Sequence, residues 1–314
     1  MGFTQIILAL ASVFIMLIPG FVFKKFRLVN DQQTGGIATI LTGITYPCLI
    51  VNAMQMPASP AVLDNIKDIA LITVGIMAIA FILSKLMGKL VHLPRSQSGL
   101  ITFMLIFGNT GFIGLPIITG LLGKSATFYV IICDSTINLF MFTLGLMLLR
   151  SAANARQDLK SDRSETIKGI FNPCMIAVII GLLLYGFQIT LPKVIGTPIE
   201  TIGAVTVPLA MFLVGAQLAE IKLMALIKSL HIYLYCVLKL LVVPLLTFLL
   251  VKFTIGAHSL LATVIIMEAS MPAAMSSAIF TKQYKGDVEF ATKGVLMSTL
   301  FCIITIPVLA IFLV

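Results

Sequence analysis

The chain has 314 residues, 59% of them hydrophobic and only 11% charged, with a formal net charge of +9. Soluble domains carry about 45–50% apolar and about 25% charged residues, so a water-facing surface for a chain of this length is excluded. The basic excess is scattered through short gaps between apolar blocks, as membrane topology demands, and does not form the patch that a nucleic-acid partner would need.

Hydropathy predicts ten helices. The first covers residues 3–23. Its charges, Lys24, Lys25 and Arg27, follow the apolar stretch, so it reads as a retained span and not as a signal peptide. The next four cover 33–54, 66–90, 97–121 and 125–149. The polar stretch Ser151–Lys168 then divides the chain, and five more spans follow at 171–191, 196–219, 228–251, 258–281 and 290–313. Each is long enough to cross a ~30 Å hydrocarbon core. Blocks this long and apolar read as helices, because only helices and closed barrels satisfy the backbone in lipid.

The loop charges orient the bundle. With the N-terminus outside, sixteen of the 21 basic residues fall in inside loops, four (Lys67, Lys124, Lys193, Lys252) fall outside, and Lys239 lies within the eighth span. The positive-inside rule therefore predicts a multi-pass protein of the cytoplasmic membrane with both termini outside. An odd number of spans on each side of the central loop inverts the second half relative to the first. The expected architecture is an all-α membrane protein of ten transmembrane helices: a five-helix repeat over 1–150, a cytoplasmic loop over 151–168, and an inverted five-helix repeat over 169–314. A shift of 161 residues lays Ile44-Thr45-Tyr46-Pro47 on Val205-Thr206-Val207-Pro208, and Gly111 on Pro272.

The fourth and ninth spans are interrupted near their centres. The fourth carries Gly108-Asn109-Thr110-Gly111-Phe112-Ile113-Gly114-Leu115-Pro116, and the ninth carries Glu268-Ala269-Ser270-Met271-Pro272-Ala273-Ala274-Met275-Ser276-Ser277. Breaks at corresponding places in two halves are the best sequence pointer to a transporter site. Asn109 lies about twelve residues into its span and Glu268 about ten, which at ~1.5 Å per residue puts both near mid-membrane. Unwound backbone there offers carbonyls to a cation and helix N-termini to an anion. Three ionisable residues are embedded, Asp134, Lys239 and Glu268; each costs at least ~2.5 kcal/mol to insert and is expected to face the protein interior. Asp134 sits among Ser135, Thr136 and Asn138, a group of oxygen ligands. The candidate substrate contacts are Asn109, Thr110, Gly111, Pro116, Asn138, Met271, Pro272 and Ser276; the candidate ion-coupling residues are Glu268, Asp134, Ser135 and Ser270. The five cysteines all lie in apolar blocks without C-x-x-C spacing, and read as small buried hydrophobes.

The Gly108–Pro116 run resembles the fourth-helix signature of the auxin efflux carrier family, whose bacterial branch includes malate- and malonate-permease-like transporters. The resemblance covers the whole chain, with its ten spans, outside termini and short central loop. It implies a fold similar to that of bile acid sodium symporters and sodium/proton antiporters. In that fold helices four and nine cross at their unwound centres, helices three to five and eight to ten form a transport domain, and helices one, two, six and seven form a scaffold. Glu268-Ala269-Ser270-Met271 resembles the glutamate-bearing segment that binds sodium in the bile acid symporters, and Asn109 and Thr110 match their fourth-helix ligands. The resemblance thus implies Glu268 and Asn109 as sodium ligands, with no other cofactor. Asp134 departs from the pattern by placing a carboxylate where that sodium site uses hydroxyls.

The expected function is secondary active transport of a small organic anion, a dicarboxylate or auxin-like weak acid, by alternating access coupled to Na⁺ or H⁺. The expected surroundings are the lipid bilayer and, in a homodimer, a second copy. A cation/proton antiporter using the two acids is the alternative within transport. A membrane-embedded enzyme is disfavoured: His92, His231 and His258 are far apart and form no H-E-x-x-H, and Asp134 is the only embedded aspartate. A sensor would carry no flux.

Overall fold

The computed structural model describes residues 3–57, 60–152, 167, 169–220, 230–256 and 259–313. Among these residues there is no strand, only a single bridged pair. The helices are α1 (Thr4–Lys25), α2 (Asp31–Ala53), α3 (Asp64–Leu90), α4 (Arg95–Ile106), α5 (Thr110–Leu122), α6 (Lys124–Leu149), α7 (Pro173–Gly186), α8 (Lys193–Leu218), α9 (Leu230–Thr254), α10 (Leu260–Ala269), α11 (Ser276–Gln283) and α12 (Val288–Leu313). Seven of them, α1, α2, α3, α6, α8, α9 and α12, are long and apolar enough to cross a membrane.

Two expected spans are each two helices. The fourth is α4 and α5 separated at Phe107–Asn109, and the ninth is α10 and α11 separated at Ser270–Met275. The expected sixth span, 171–191, is shorter than predicted. Asn172 starts α7 by accepting the Met175 amide at 3.0 Å, but the helix stops at Gly186, and Gln188 turns the chain away with φ 53°. Its 14 residues rise about 21 Å. Residues 153–166 and 168 of the expected cytoplasmic loop lie outside the described residues, as do Lys222, Lys228 and His258.

Four helices contain a π turn, at Leu41–Thr45, Thr110–Gly114, Met141–Gly145 and Leu238–Val242. Three of these run straight into a proline: Pro47, Pro116 and Pro244. A proline ring clashes with the carbonyl four residues before it. Those carbonyls belong to Gly43, Phe112 and Leu240, the central residue of each π turn. The wider turn relieves the clash while the helix continues, and lipid requires that continuity because a freed backbone group finds no water.

The chain divides into two compact units. The first comprises Met1–Ile69, Gly111–Ser135 and Phe171–Glu220. Here α1 and α8 meet at backbone distance: a Cβ placed on Gly20 would stand 1.9 Å from the Phe212 carbonyl oxygen, and one on Gly215 2.0 Å from that of Leu17. Gly203 similarly lets α8 approach Leu49 of α2. Small residues at such crossings supply the close packing that joins helices where lipid removes the hydrophobic drive. Lys24 closes one end of this unit by pairing with Asp31 and with Glu220.

The second unit comprises Ala70–Thr110, Thr136–Ile170 and Ile221–Val314. Its core gathers Phe103, Met104 and Phe107 from the α4 segment, Tyr235 from α9, and Ala291, Val295 and Met297 from α12. Gly145 of α6 admits the Phe103 and Phe107 rings, which would stand within 3 Å of an added Cβ.

Candidate functional site

In the second unit the two breaks pair with each other. Proline at 272 and glycine at 108 leave both segments poor at holding a helical turn. Their backbone groups then need partners, and each segment supplies the other's. The Asn109 amide donates to the Pro272 carbonyl at 2.7 Å, the Ala274 amide donates to the Phe107 carbonyl at 3.1 Å, and Gly108 and Ala273 form an antiparallel bridge. Ser298 of α12 holds the same place from the side, accepting the Ala273 amide at 3.1 Å while its hydroxyl donates back to the Gly294 carbonyl at 2.7 Å.

Ending α4 at Ile106 strands its last carbonyls, which carry the negative end of the helix dipole. Each is met differently. The Phe103 carbonyl accepts the Phe107 amide at 2.9 Å, the Met104 carbonyl accepts the Tyr235 hydroxyl at 3.3 Å, and the Leu105 carbonyl accepts the Lys239 ammonium at 2.8 Å. Tyr235 and Lys239 are one helical turn apart on α9, so one face of that helix caps α4. Lys239 is 2% exposed and Glu268, the penultimate residue of α10, is 4% exposed. The second unit therefore buries an acid and a base at its helix crossover.

Of the expected contacts, the crossover brings together Asn109, Glu268, Ser270, Met271 and Pro272, all buried. Thr110 is buried at the start of the following π turn. The Ser270 hydroxyl donates to the Ile266 carbonyl at 2.7 Å. Ser276 is half-buried and its hydroxyl faces the Met141 sulfur at 3.5 Å; Asn138 is half-buried on α6. An apolar cavity of about 600 Å³ runs between α3, α4 and α6 and reaches Phe107, lined among others by Val74, Met77, Phe81, Ile106 and Leu144. It offers an ion nothing.

The remaining expected residues belong to the first unit. Asp134, 6% exposed, accepts the Tyr46 hydroxyl at 2.8 Å. Gly111 lies beside this pair: an added Cβ would stand 3.4 Å from the Tyr46 ring and 3.6 Å from Asp134 Oδ1. Backbones approach closely at Gly108 of the second unit, where a Cβ would meet the Met271 carbonyl at 3.4 Å. Pro116 is buried in α5, and the Ser135 hydroxyl donates to the Ile131 carbonyl at 2.6 Å. The sequence reading missed Tyr46 as the partner of Asp134, and Tyr235 and Ser298 as supports of the crossover. Only the one-turn spacing of Tyr235 and Lys239 was available as a signal.

Comparison with known proteins finds membrane transport proteins. The family model described as membrane transport protein matches residues 5–310. The chain is 25% identical to an uncharacterized transporter of Methanothermobacter thermautotrophicus over 98% of its own length and 97% of the relative's. It is 24% identical to an uncharacterized transporter of Methanocaldococcus jannaschii, over 94% of each chain.

Proposed function

Since this chain belongs to the membrane transport protein family, that of the auxin efflux carriers, we propose that it is a secondary active transporter of a small organic anion, a dicarboxylate or an auxin-like weak acid. The observation that carries the reading is the crossover, where two helices break and pair while Glu268 and Lys239 stay buried beside them. A structural bundle gains nothing from exchanging helical hydrogen bonds for such a pair and then burying two charges next to it. A carrier gains backbone dipoles pointing at one place from both sides. The N-terminus of α11 has no side-chain cap, and its first-turn amides, apart from that of Ser277 which donates to the Ala274 carbonyl, are those a substrate carboxylate would meet.

In this reading the helices form ten spans in two inverted repeats of five, in the cell membrane, with both termini outside. Helices of spans three to five and eight to ten move against a scaffold of spans one, two, six and seven, each protomer acting alone or within a homodimer. Asn109, Thr110, Gly111, Pro116, Asn138, Met271, Pro272 and Ser276 contact substrate. Glu268, with Asp134, Ser135 and Ser270, answers to the driving cation. The protein is a carrier and no bond is made or broken in its cycle.

Proteoliposomes test this directly. The parent should accumulate a labelled organic acid under an imposed cation gradient. Glu268→Gln keeps size and most hydrogen bonding but removes the charge. Its folded yield should fall, because the buried Lys239 ammonium loses its counter-charge, but the folded fraction should still exchange substrate across the membrane and accumulate none above equilibrium. Undiminished accumulation by the Gln variant would remove Glu268 from coupling and transfer the role to Asp134; a parent inert toward every organic acid would remove the anion.

A further inference from the structure

The resemblance to sodium symporters raises the question of whether the crossover suits a sodium ion. Sodium, a hard cation, is held by several oxygens gathered at short range. Glu268 provides a carboxylate, but a cation is already there. The Lys239 ammonium donates to the Leu105 carbonyl at 2.8 Å and lies in the field of Glu268. It is also packed against the unwound backbone: a Cβ on Gly108 would stand 3.5 Å from Nζ. Ser270 donates its hydroxyl hydrogen to the Ile266 carbonyl and Asn109 its backbone amide to the Pro272 carbonyl. These bonds fix both residues at the crossover but occupy hydrogens, not ligand oxygens, so the obstacle to a metal ion is the ammonium itself. A sodium ion entering here would meet a fixed like charge in a medium too poor in water to screen it. The residues present do not fit the ion.

We propose that the Lys239 ammonium is the resident cation of the crossover, filling beside Glu268 and the Leu105 carbonyl the place an alkali-metal ion would take, so that this protein binds no sodium there. Its tether does what a bound metal would otherwise do. It neutralises the buried carboxylate, and it satisfies the negative end of α4 where the helix has been cut. The π turn at Leu238–Val242 contains Lys239, so the widened turn forced by Pro244 is part of how the ammonium is aimed. The inference deepens the transport reading by removing sodium from the candidate drivers, but it is a statement about binding and is tested without flux.

The test is thermal unfolding of the purified full chain at constant ionic strength, with sodium chloride exchanged for choline chloride. A ligand that binds only the folded state raises its stability. The parent should shift by less than about 1 °C, the scale of a small fraction of a kcal/mol for a chain this size. Lys239→Met keeps the length and removes the charge, which opens the place to a mobile cation. It should melt lower than the parent in choline and recover about 3 °C or more in sodium. A parent stabilised by sodium, with the effect lost in Glu268→Gln, would overturn the proposal. So would a Lys239→Met protein as stable as the parent in choline, or one indifferent to sodium. Should that variant fail to fold, the parent titration decides alone: indifference supports the resident cation and stabilisation refutes it. Failure of every organic acid to move in liposomes would count against the carrier and leave these melting curves untouched.

Discussion

At the scale of single residues, three charged side chains are buried among the described residues, Asp134, Lys239 and Glu268. Asp134 holds the Tyr46 hydroxyl, and Lys239 holds a main-chain carbonyl. That second pairing explains why Lys239 stood out in the sequence without revealing its task. A backbone acceptor has no side-chain signature, and the one it meets becomes available only because α4 ends at Ile106. Glu268 and Asn109, by contrast, were legible, because Pro272 and the Gly108–Gly111 cluster announce the breaks that they flank. Asn109 shows how a binding role separates from a structural one. Its backbone N–H, which every residue but proline has, donates to the Pro272 carbonyl, so the side chain is dispensable to that hydrogen bond. Asn109→Ala should keep folded yield and weaken substrate binding about two- to tenfold, the range for losing one hydrogen bond worth ~0.5–1.5 kcal/mol. Equal affinity in a ligand-induced thermal shift would take Asn109 out of the substrate site.

At the scale of elements, periodicity and length located the apolar helices well, as with 33–54 against Asp31–Ala53. The misses at the crossover share one cause: they depend on partners distant in sequence. Pairing of Phe107–Asn109 with Pro272–Ala274 is strand-like and non-local, and hydropathy has no term for it. Three of the four π turns had a local signal, proline two residues beyond the turn, and Pro244 makes it testable. Pro244→Ala removes the ring that clashes with the Leu240 carbonyl, so α9 can close to ordinary α geometry, and the side chains before it rotate by up to ~100° relative to those after. Replacing a helical proline by alanine normally stabilises. Here it should lower the melting temperature, because Lys239 would lose the Leu105 carbonyl; a higher one would make the π turn incidental. The α1–α8 crossing is the other vulnerable element. Gly215→Ala forces the backbones apart, with a cost of at least about 1–3 kcal/mol, the range for overpacking. Folded yield measured by size-exclusion chromatography should fall sharply, whereas Gly36→Ala, with open space around it, should not.

At the scale of the whole molecule, the charge asymmetry makes a prediction that needs no atomic detail. In a background without the five native cysteines, a cysteine in the Ser151–Lys168 loop should be shielded from impermeant thiol reagents in intact cells. One near Pro57 should be labelled, and labelling of the central loop from outside would invert the topology. The paired breaks bear on biogenesis as well. Phe107–Asn109 leaves the ribosome more than 160 residues before Pro272–Ala274. Until then its amide and carbonyl face lipid or a surrogate partner, and each unsatisfied group there costs several kcal/mol. The first half of the chain therefore cannot finish folding during its own insertion, and its quality control must span almost the entire period of synthesis. A nascent chain released anywhere before Pro272 would therefore carry an open backbone seam in the membrane.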